Sequence, residues 1–118
     1  MSGELRIADL ISQDMRSHEW IDERSLALHE AVAARLEADP QLLEVARANL
    51  KRWLAANPAA PLREWQRLLD TLSLPQLLRL LRARDEESAR LRQSSPFAGL
   101  LPPAERQAIL HRYESRLA

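Results

Sequence analysis

The amino-acid sequence predicts an all-α fold, a compact bundle of five or six helices in a single domain spanning residues 1–118. The first observation is composition: the chain has only two glycines and is rich in Leu, Ala, Arg and Glu, residues that favour helices. The second is the scarcity of valine and threonine, which occur only as Val32, Val45 and Thr71. Because β-branched side chains favour strands, little in the chain could build a sheet. The third is apolar residues at helical spacing, in segments separated by prolines.

The N-terminal segment has an apolar stripe that predicts an amphipathic helix. The stripe consists of Ile7, Leu10, Ile11 and Met15. We expect a break near Ser17-His18 and a second helix from about Ile21 to Ala38, with Leu28 among its apolar residues. Residues 1–20 would then be a loosely docked helix that packs on its own core, exchanges with a neighbouring molecule or lies in a groove of another protein.

The Asp39-Pro40-Gln41 motif is a strong signal for the start of a helix. The aspartate can accept a hydrogen bond from a free amide of the first turn, where the proline loses no amide partner. This helix is expected to run to about Ala56. Its apolar stripe predicts that Trp53 lies in the core, as Trp65 does on the next helix.

Further start signals divide the second half of the chain. Pro61 opens a short helix, and a Ser-x-x-Gln capping box beginning at Ser73 starts the next one. Asp85 can cap one or two additional turns. A loop over residues 93–99 then precedes a final helix that begins at Pro103.

The residue types required for catalysis or metal binding are absent or wrongly spaced. The chain has no cysteine, which excludes disulfides and thiolate ligands. His18, His29 and His111 lack the spacing of helical metal ligands, and we expect all three at the surface or at its boundary. No nucleophile elbow surrounds Ser94-Ser95, and two glycines cannot build a phosphate-binding loop. We therefore expect no metal, no cofactor and no enzymatic activity.

Charge is balanced overall but divided along the chain. Residues 1–44 contain ten acidic residues and four arginines, a net charge of −6, whereas residues 45–118 have a net charge of +6. A neutral total disfavours a dedicated nucleic-acid-binding protein, but the division permits an acidic face for one partner. A candidate basic face comprises Arg79, Arg82, Arg84, Arg90 and Arg92. We expect this face to be solvated; its alternative partners are a nucleic acid or an acidic protein surface.

Two segments are candidates for binding a protein partner: the N-terminal apolar stripe, and the loop that contains Ser94, Ser95 and Phe97. We expect Phe97 to close the core from outside, the alternative being an exposed anchor for a partner. No apolar run is long enough to cross a membrane, and no secretory signal is visible. These absences predict a cytoplasmic protein without membrane contact.

Several blocks of the sequence resemble a known group of proteins. The blocks are LRQSSPFAGLLP from Leu91, the following Glu105-Arg106, SLALH from Ser25, Asp39-Pro40, and ANLKRW from Ala48. Over residues 25–112 the chain is similar to short helical bacterial proteins associated with toxin–antitoxin loci, whose small partner is the antitoxin. The resemblance implies a protein without catalytic residues that binds and silences a companion toxin.

The antitoxin-like function gives the acidic first third of the chain a role, because it could cover a basic active-site cleft of the toxin. The sequence leaves two alternatives open. One is a nucleic-acid-binding regulator that uses the arginines of residues 79–92, and the other is a structural homo-oligomer.

Overall fold

The computed structural model describes the backbone of residues 2–117 and the side chains of residues 20–114. Over that part of the chain the backbone forms six α-helices and one 3-10 turn, without a strand, which confirms the all-α fold. The elements are α1 (Ser2–Ala38), the 3-10 turn (Pro40–Leu42), α2 (Leu43–Ala56), α3 (Ala60–Thr71), α4 (Leu74–Arg82), α5 (Glu86–Arg92) and α6 (Pro103–Leu117). No helix among the described residues has the length and apolar character needed to cross a membrane.

Helix α1 is continuous for 37 residues, so the predicted break near Ser17-His18 is wrong. At about 1.5 Å per residue such a helix is roughly 55 Å long. Neither proline nor glycine occurs between residues 4 and 38, so the sequence contains no strong helix breaker there. Residues 2–20 therefore belong to α1 rather than to a separate helix, and the side chains of residues 2–19 lie outside the described part.

Local capping interactions position the shorter helices. Asp39 accepts a hydrogen bond from the amide of Gln41 at 3.2 Å, although the first turn after it is 3-10 rather than α-helical. Ser73 begins α4 with both hydrogen bonds of a capping box. Asp85 begins α5 by accepting hydrogen bonds from the amide and the hydroxyl of Ser88 at 3.0 and 2.7 Å. Each cap satisfies an amide that the helix itself leaves without a partner.

The hydrophobic core forms where α1 packs against α4, α5 and α6 and where α2 packs against α3. Trp65 is 1% exposed, and its Nε1 donates a hydrogen bond to the Leu91 carbonyl at 2.7 Å. Trp53, also predicted in the core, is only half-buried and lies outside the main cluster. The buried cluster includes Val32, Leu36, Leu50, Leu69, Leu77, Leu81, Leu91, Phe97, Leu100, Leu101 and Ile109.

The first and last helices are joined directly. The Trp20 indole Nε1 donates a hydrogen bond to the Tyr113 carbonyl of α6 at 2.8 Å. The guanidinium of Arg24 lies 4.7 Å from the centre of the same indole ring, within the range of a cation–π interaction. The indole hydrogen bond joins α1 to α6.

Candidate functional site

Two of the polar side chains that the core buries hold one segment, the connection from α5 to α6. The buried polar residues among the described side chains are His29, Asn49, Ser88 and Arg92. His29 and Asn49 form hydrogen bonds to residues 95–98, whereas Arg92 bonds the end of α4 and Ser88 belongs to the α5 cap. Burying polar groups is costly unless they are paired, so this concentration marks a segment held in a defined geometry. We refer to residues 93–99 as the 93–99 loop.

His29 connects α1 to the 93–99 loop through both of its ring nitrogens. The Nδ1 donates a hydrogen bond to the Ser25 carbonyl at 2.6 Å, and the Nε2 accepts one from the Ser95 hydroxyl at 2.7 Å. Because a carbonyl can only accept, the bond to Ser25 places the ring proton on Nδ1. His29 is 7% exposed, so its predicted place at the surface or its boundary is wrong.

Burial lowers the pKa of His29 from 6.5 to about 4 because the interior disfavours a charged ring. The hydrogen bond to Ser25 opposes this shift, and the nearby charge of Arg92 adds to it. The ring is therefore neutral near pH 7, as the Nε2 must be to accept the Ser95 proton. A serine–histidine hydrogen bond also occurs in nucleophilic sites. Here a low pKa makes the imidazole a weak base, so the geometry is best suited to holding the loop.

Asn49 of α2 holds the next part of the 93–99 loop. Its Nδ2 donates hydrogen bonds to the carbonyls of Pro96 and Ala98 at 2.9 and 2.8 Å. Its Oδ1 accepts a hydrogen bond from Arg52 at 2.7 Å. An amide group supplies two donors and an acceptor at once, which explains why this polar side chain stands at a buried position of α2.

Arg92 is buried where the loop begins and is therefore not part of the predicted basic face. One guanidinium nitrogen donates hydrogen bonds to the carbonyls of Leu80 and Ala83, at 3.2 and 2.6 Å. These carbonyls lie at the C-terminal end of α4, where partial negative charge favours a cation. The Arg92 Nε is the one buried side-chain polar atom in the described part that lacks a hydrogen-bond partner.

The tip of the loop is a tight turn that requires glycine. The amide of Leu100 donates a hydrogen bond to the Phe97 carbonyl at 3.1 Å, which closes a four-residue turn. Gly99, the third residue of the turn, has φ of +81°. Side chains of L-residues rarely adopt that conformation, so a glycine here keeps the turn free of strain.

A cavity of about 210 Å³ lies between α1, the loop and the start of α6. Its lining comprises Leu28, His29, Val32, Ser95, Phe97, Ala98, Gly99, Leu101 and Arg106. Ala98, Gly99 and Arg106 are exposed and form the rim, whereas the aliphatic and aromatic side chains form a largely buried floor. The Arg106 side chain forms no hydrogen bond or ion pair with the described part of the chain. The cavity thus combines an apolar floor with one cation available at its rim.

The predicted partner-binding residues differ in how exposed they are. Phe97 is 5% exposed and packs edge-on against Trp65 and His29, with ring centroids 5.6 and 6.3 Å apart. It closes the core, and the alternative of an exposed anchor is wrong. Ser94 and Ser95 are half-buried. The remaining candidates lie outside the described side chains: Ile7, Leu10, Ile11 and Met15.

Ion pairs neutralise part of the predicted basic face. Arg82 lies 3.3 Å from a carboxylate oxygen of Glu37, and Arg90 lies 3.0 Å from one of Glu64. Arg90 also pairs with a second glutamate on its own helix. The members that remain exposed without an ion pair to a described residue are Arg79 and Arg84. With Arg92 buried, this leaves two exposed and unpaired arginines out of the five that the sequence suggested.

The described side chains contain no group of three or more His, Asp or Glu residues able to hold a metal ion. His111 is exposed over 82% of its side chain, and the side chain of His18 lies outside the described residues. No family model matches this chain, and it has no match among curated proteins or solved structures.

Sequence reasoning missed Asn49, Arg106 and the buried role of His29. The signal for two of them was a polar residue on an apolar stripe: His29 follows Leu26 by three residues, and Asn49 follows Ala46 by three. A polar side chain at a core position needs a hydrogen-bond partner, so its presence in the sequence indicates a specific buried contact. Arg106 carries no comparable signal, because its importance depends on which cavity the fold places beside it.

Proposed function

We propose that this chain is a non-enzymatic protein-binding module, an antitoxin-like inhibitor of a companion bacterial toxin. The supporting observation is the surface of α1 around Ile21, which is 41% exposed and is the one exposed large apolar side chain in the described part. Exposed Asp22 and Glu23 follow it directly. An apolar side chain in an acidic setting is suited to a partner surface that is basic and has an apolar pocket.

The acidic character continues along α1. Glu23, Glu30 and Glu37 are all exposed at intervals of seven residues, and Glu37 is paired with Arg82. Positions seven apart on an α-helix differ by only about 20° around its axis, so these carboxylates form one row. Residues 1–44 as a whole have a net charge of −6. The part of the row around Glu30, away from the Glu37–Arg82 pair, complements the cationic cleft of an enzyme that acts on nucleic acid, and electrostatic complementarity speeds association.

The continuity of α1 extends this surface toward the N-terminus. Positions 10 and 21 are eleven residues apart, about three helical turns, and therefore share a helix face. The predicted apolar stripe of residues 7–15 and the exposed Ile21 thus belong to one helix. A partner seated on Ile21 could extend along the same helix, in the groove-binding mode of amphipathic helices.

The ion pairs of Arg82 and Arg90 favour this function over the nucleic-acid-binding alternative. Each phosphate contact needs a cation that is free to replace a counterion. Two of the five candidate arginines are paired with glutamates and one is buried. A nucleic-acid-binding regulator and a homo-oligomer remain as alternatives that the experiment below distinguishes.

The test is co-expression of the tagged chain with the protein encoded by the neighbouring gene, followed by nuclease treatment and purification. We expect a stoichiometric complex and relief of the growth arrest that the neighbouring protein causes when expressed alone. Ile21→Arg and Glu30→Lys should each weaken the complex about tenfold or more, equivalent to roughly 1.4 kcal/mol. The matched control is Glu44→Lys, which reverses the charge of a 78% exposed carboxylate on α2.

Three results would contradict the proposal. In the first, no complex forms and the growth arrest persists. In the second, binding survives both α1 substitutions and deletion of residues 1–20. In the third, the chain binds DNA or RNA with an affinity that falls steeply with salt, or its mass in light scattering rises with concentration in the absence of a partner.

A further inference from the structure

We propose that the cavity beside the 93–99 loop captures the carboxyl-terminal residue of a partner protein, an aliphatic residue with its free α-carboxylate. This inference rests on the proposed protein-binding function and identifies a second contact surface for it. It is supported by the size of the cavity, the stiffness of its wall and the chemistry of its lining.

The size of the cavity selects the kind of occupant. The space beside the loop is about 210 Å³. Pockets for cofactors and drug-sized ligands have volumes of about 300–1,000 Å³. The space is therefore suited to one side chain with its adjacent backbone atoms rather than to a cofactor.

The apolar floor selects an aliphatic side chain. Val32, Phe97 and Leu101 are buried core residues whose surfaces face this space, and Leu28 adds a half-buried aliphatic surface. Contact with such a floor removes apolar surface from water, which is the dominant favourable contribution to most associations. A charged or strongly polar side chain would lose its hydration there without gaining a partner.

The wall of the cavity is held in place before any ligand arrives. The loop is fixed to α1 by the Ser95–His29 hydrogen bond and to α2 by the two bonds from Asn49. A preformed site avoids the entropic cost of ordering a loop upon binding. The buried polar contacts around residues 92–98 thus have a use beyond stability, because they maintain an open cavity at the surface.

The polar groups at the cavity match the two ends of a terminal residue. The Ser95 hydroxyl donates to His29, so its lone pairs remain available to accept a hydrogen bond from a ligand N–H group. Arg106 offers a guanidinium that can bind a carboxylate through two parallel hydrogen bonds, and the lining contains no acidic residue to compete. A chain terminus carries the amide N–H, the side chain and the carboxylate on a single residue, and capture of such termini is a known recognition mode.

The cavity and the acidic row of α1 can be altered independently. Leu28 and Val32 each lie two positions from Glu30, about 200° around the helix. The two surfaces therefore lie on opposite sides of α1, and a substitution at one leaves the other in place. One partner could contact both sides of α1, with its terminus in the cavity and a basic surface on the carboxylates.

The experiment is a titration of the isotope-labelled full-length chain with N-acetyl-L-leucine, followed by the amide signals in heteronuclear NMR. We expect saturable shifts at residues 28–32, 95–101 and 106, with a dissociation constant in the millimolar range. Three probes each remove one feature of the ligand: N-acetyl-L-leucinamide lacks the charge, N-acetylglycine lacks the side chain, and N-acetyl-D-leucine has the opposite hand. Each should bind at least about tenfold more weakly, a loss of roughly 1.4 kcal/mol.

Arg106→Gln should reduce binding of N-acetyl-L-leucine to the level of the leucinamide and leave the leucinamide itself unaffected. Arg106 is exposed, so the variant retains its fold, which its NMR spectrum checks directly. The matched control is Arg63→Gln on α3, another exposed arginine, which should change nothing.

The proposal is overturned if the acid and the amide bind equally, if the shifts lie elsewhere, or if none saturates. Self-association that Arg106→Gln abolishes would also overturn it, because a second copy of this chain would then be the occupant. The titration needs no toxin, so its failure leaves the proposed inhibitor function standing. Conversely, loss of the toxin complex in the α1 variants says nothing about N-acetyl-L-leucine binding.

Discussion

At the scale of single residues, His29 shows how one buried side chain can make a helical protein sensitive to acid. Burial lowers the pKa of the ring to about 4 in the folded chain, whereas in the unfolded chain the ring has the usual pKa of 6.5. Between these values the unfolded state binds a proton that the folded state does not. Stability is therefore greatest above about pH 6.5 and is lost as the pH falls toward 4.

We expect the free energy of unfolding to fall by roughly 3 kcal/mol between about pH 7 and pH 4 on account of His29, at about 1.4 kcal/mol per pKa unit. Urea unfolding at a series of pH values measures this change in the free energy of unfolding. His29→Gln removes the titrating ring, so this part of the pH dependence should disappear whatever the variant costs in stability. An identical pH dependence in both proteins would show that other groups are responsible.

Gly99 is a second residue whose role is local. Its φ of +81° strains any L-residue, although a Cβ built at this position would meet no atom within 4 Å. Gly99→Ala should therefore destabilise the protein by about 1 kcal/mol through backbone strain alone. Thermal unfolding measures the effect, and Gly99→Asn should cost less because asparagine tolerates this conformation better. Equal stability of the alanine variant and the native chain would contradict the strain argument.

At the scale of elements, the starts of the helices were predictable and the continuity of α1 was not. Asp39, Ser73 and Asp85 act on amides two or three residues away, and such short-range chemistry is visible in sequence. The expected break near residue 17 had no proline or glycine to cause it. Trp53 shows a different limit, because its helical spacing could not reveal how little of α2 the neighbouring helices cover.

The hydrogen bonds that join α2 to the 93–99 loop come from Asn49. Asn49→Asp replaces the Nδ2 amide group, which donates both hydrogen bonds, with a carboxylate oxygen that faces the carbonyls of Pro96 and Ala98. The buried Pro96 carbonyl left without a donor costs about 1–3 kcal/mol and the partly exposed Ala98 carbonyl costs less, so we expect a loss of roughly 2–4 kcal/mol in urea unfolding. Asn57→Asp, at the exposed end of α2, is the control and should have little effect. A similar loss in both variants would contradict a specific role for Asn49.

At the scale of the whole molecule, the sequence predicted the fold class but only part of the candidate site. Composition and helix spacing act throughout the chain, so an all-α fold followed from them. The site depends on contacts between distant residues: His29 and Ser95 are 66 positions apart, and Asn49 and Pro96 are 47 apart. Neither pairing has a local signature. The charge division was also visible in the sequence, but the pairing of Arg82 with Glu37 across 45 positions was not.

These long-range bonds to the 93–99 loop have a consequence for the order of folding. Closing distant contacts costs chain entropy, so helices form readily and such contacts come late. The loop can take its final shape only after α1 and α2 are both in place, and it is among the first parts released when either one loosens. A protease that cleaves within residues 93–99 would therefore act on incomplete or loosened molecules and spare finished ones. Resistance to cleavage at this loop would then report how completely the molecule is folded.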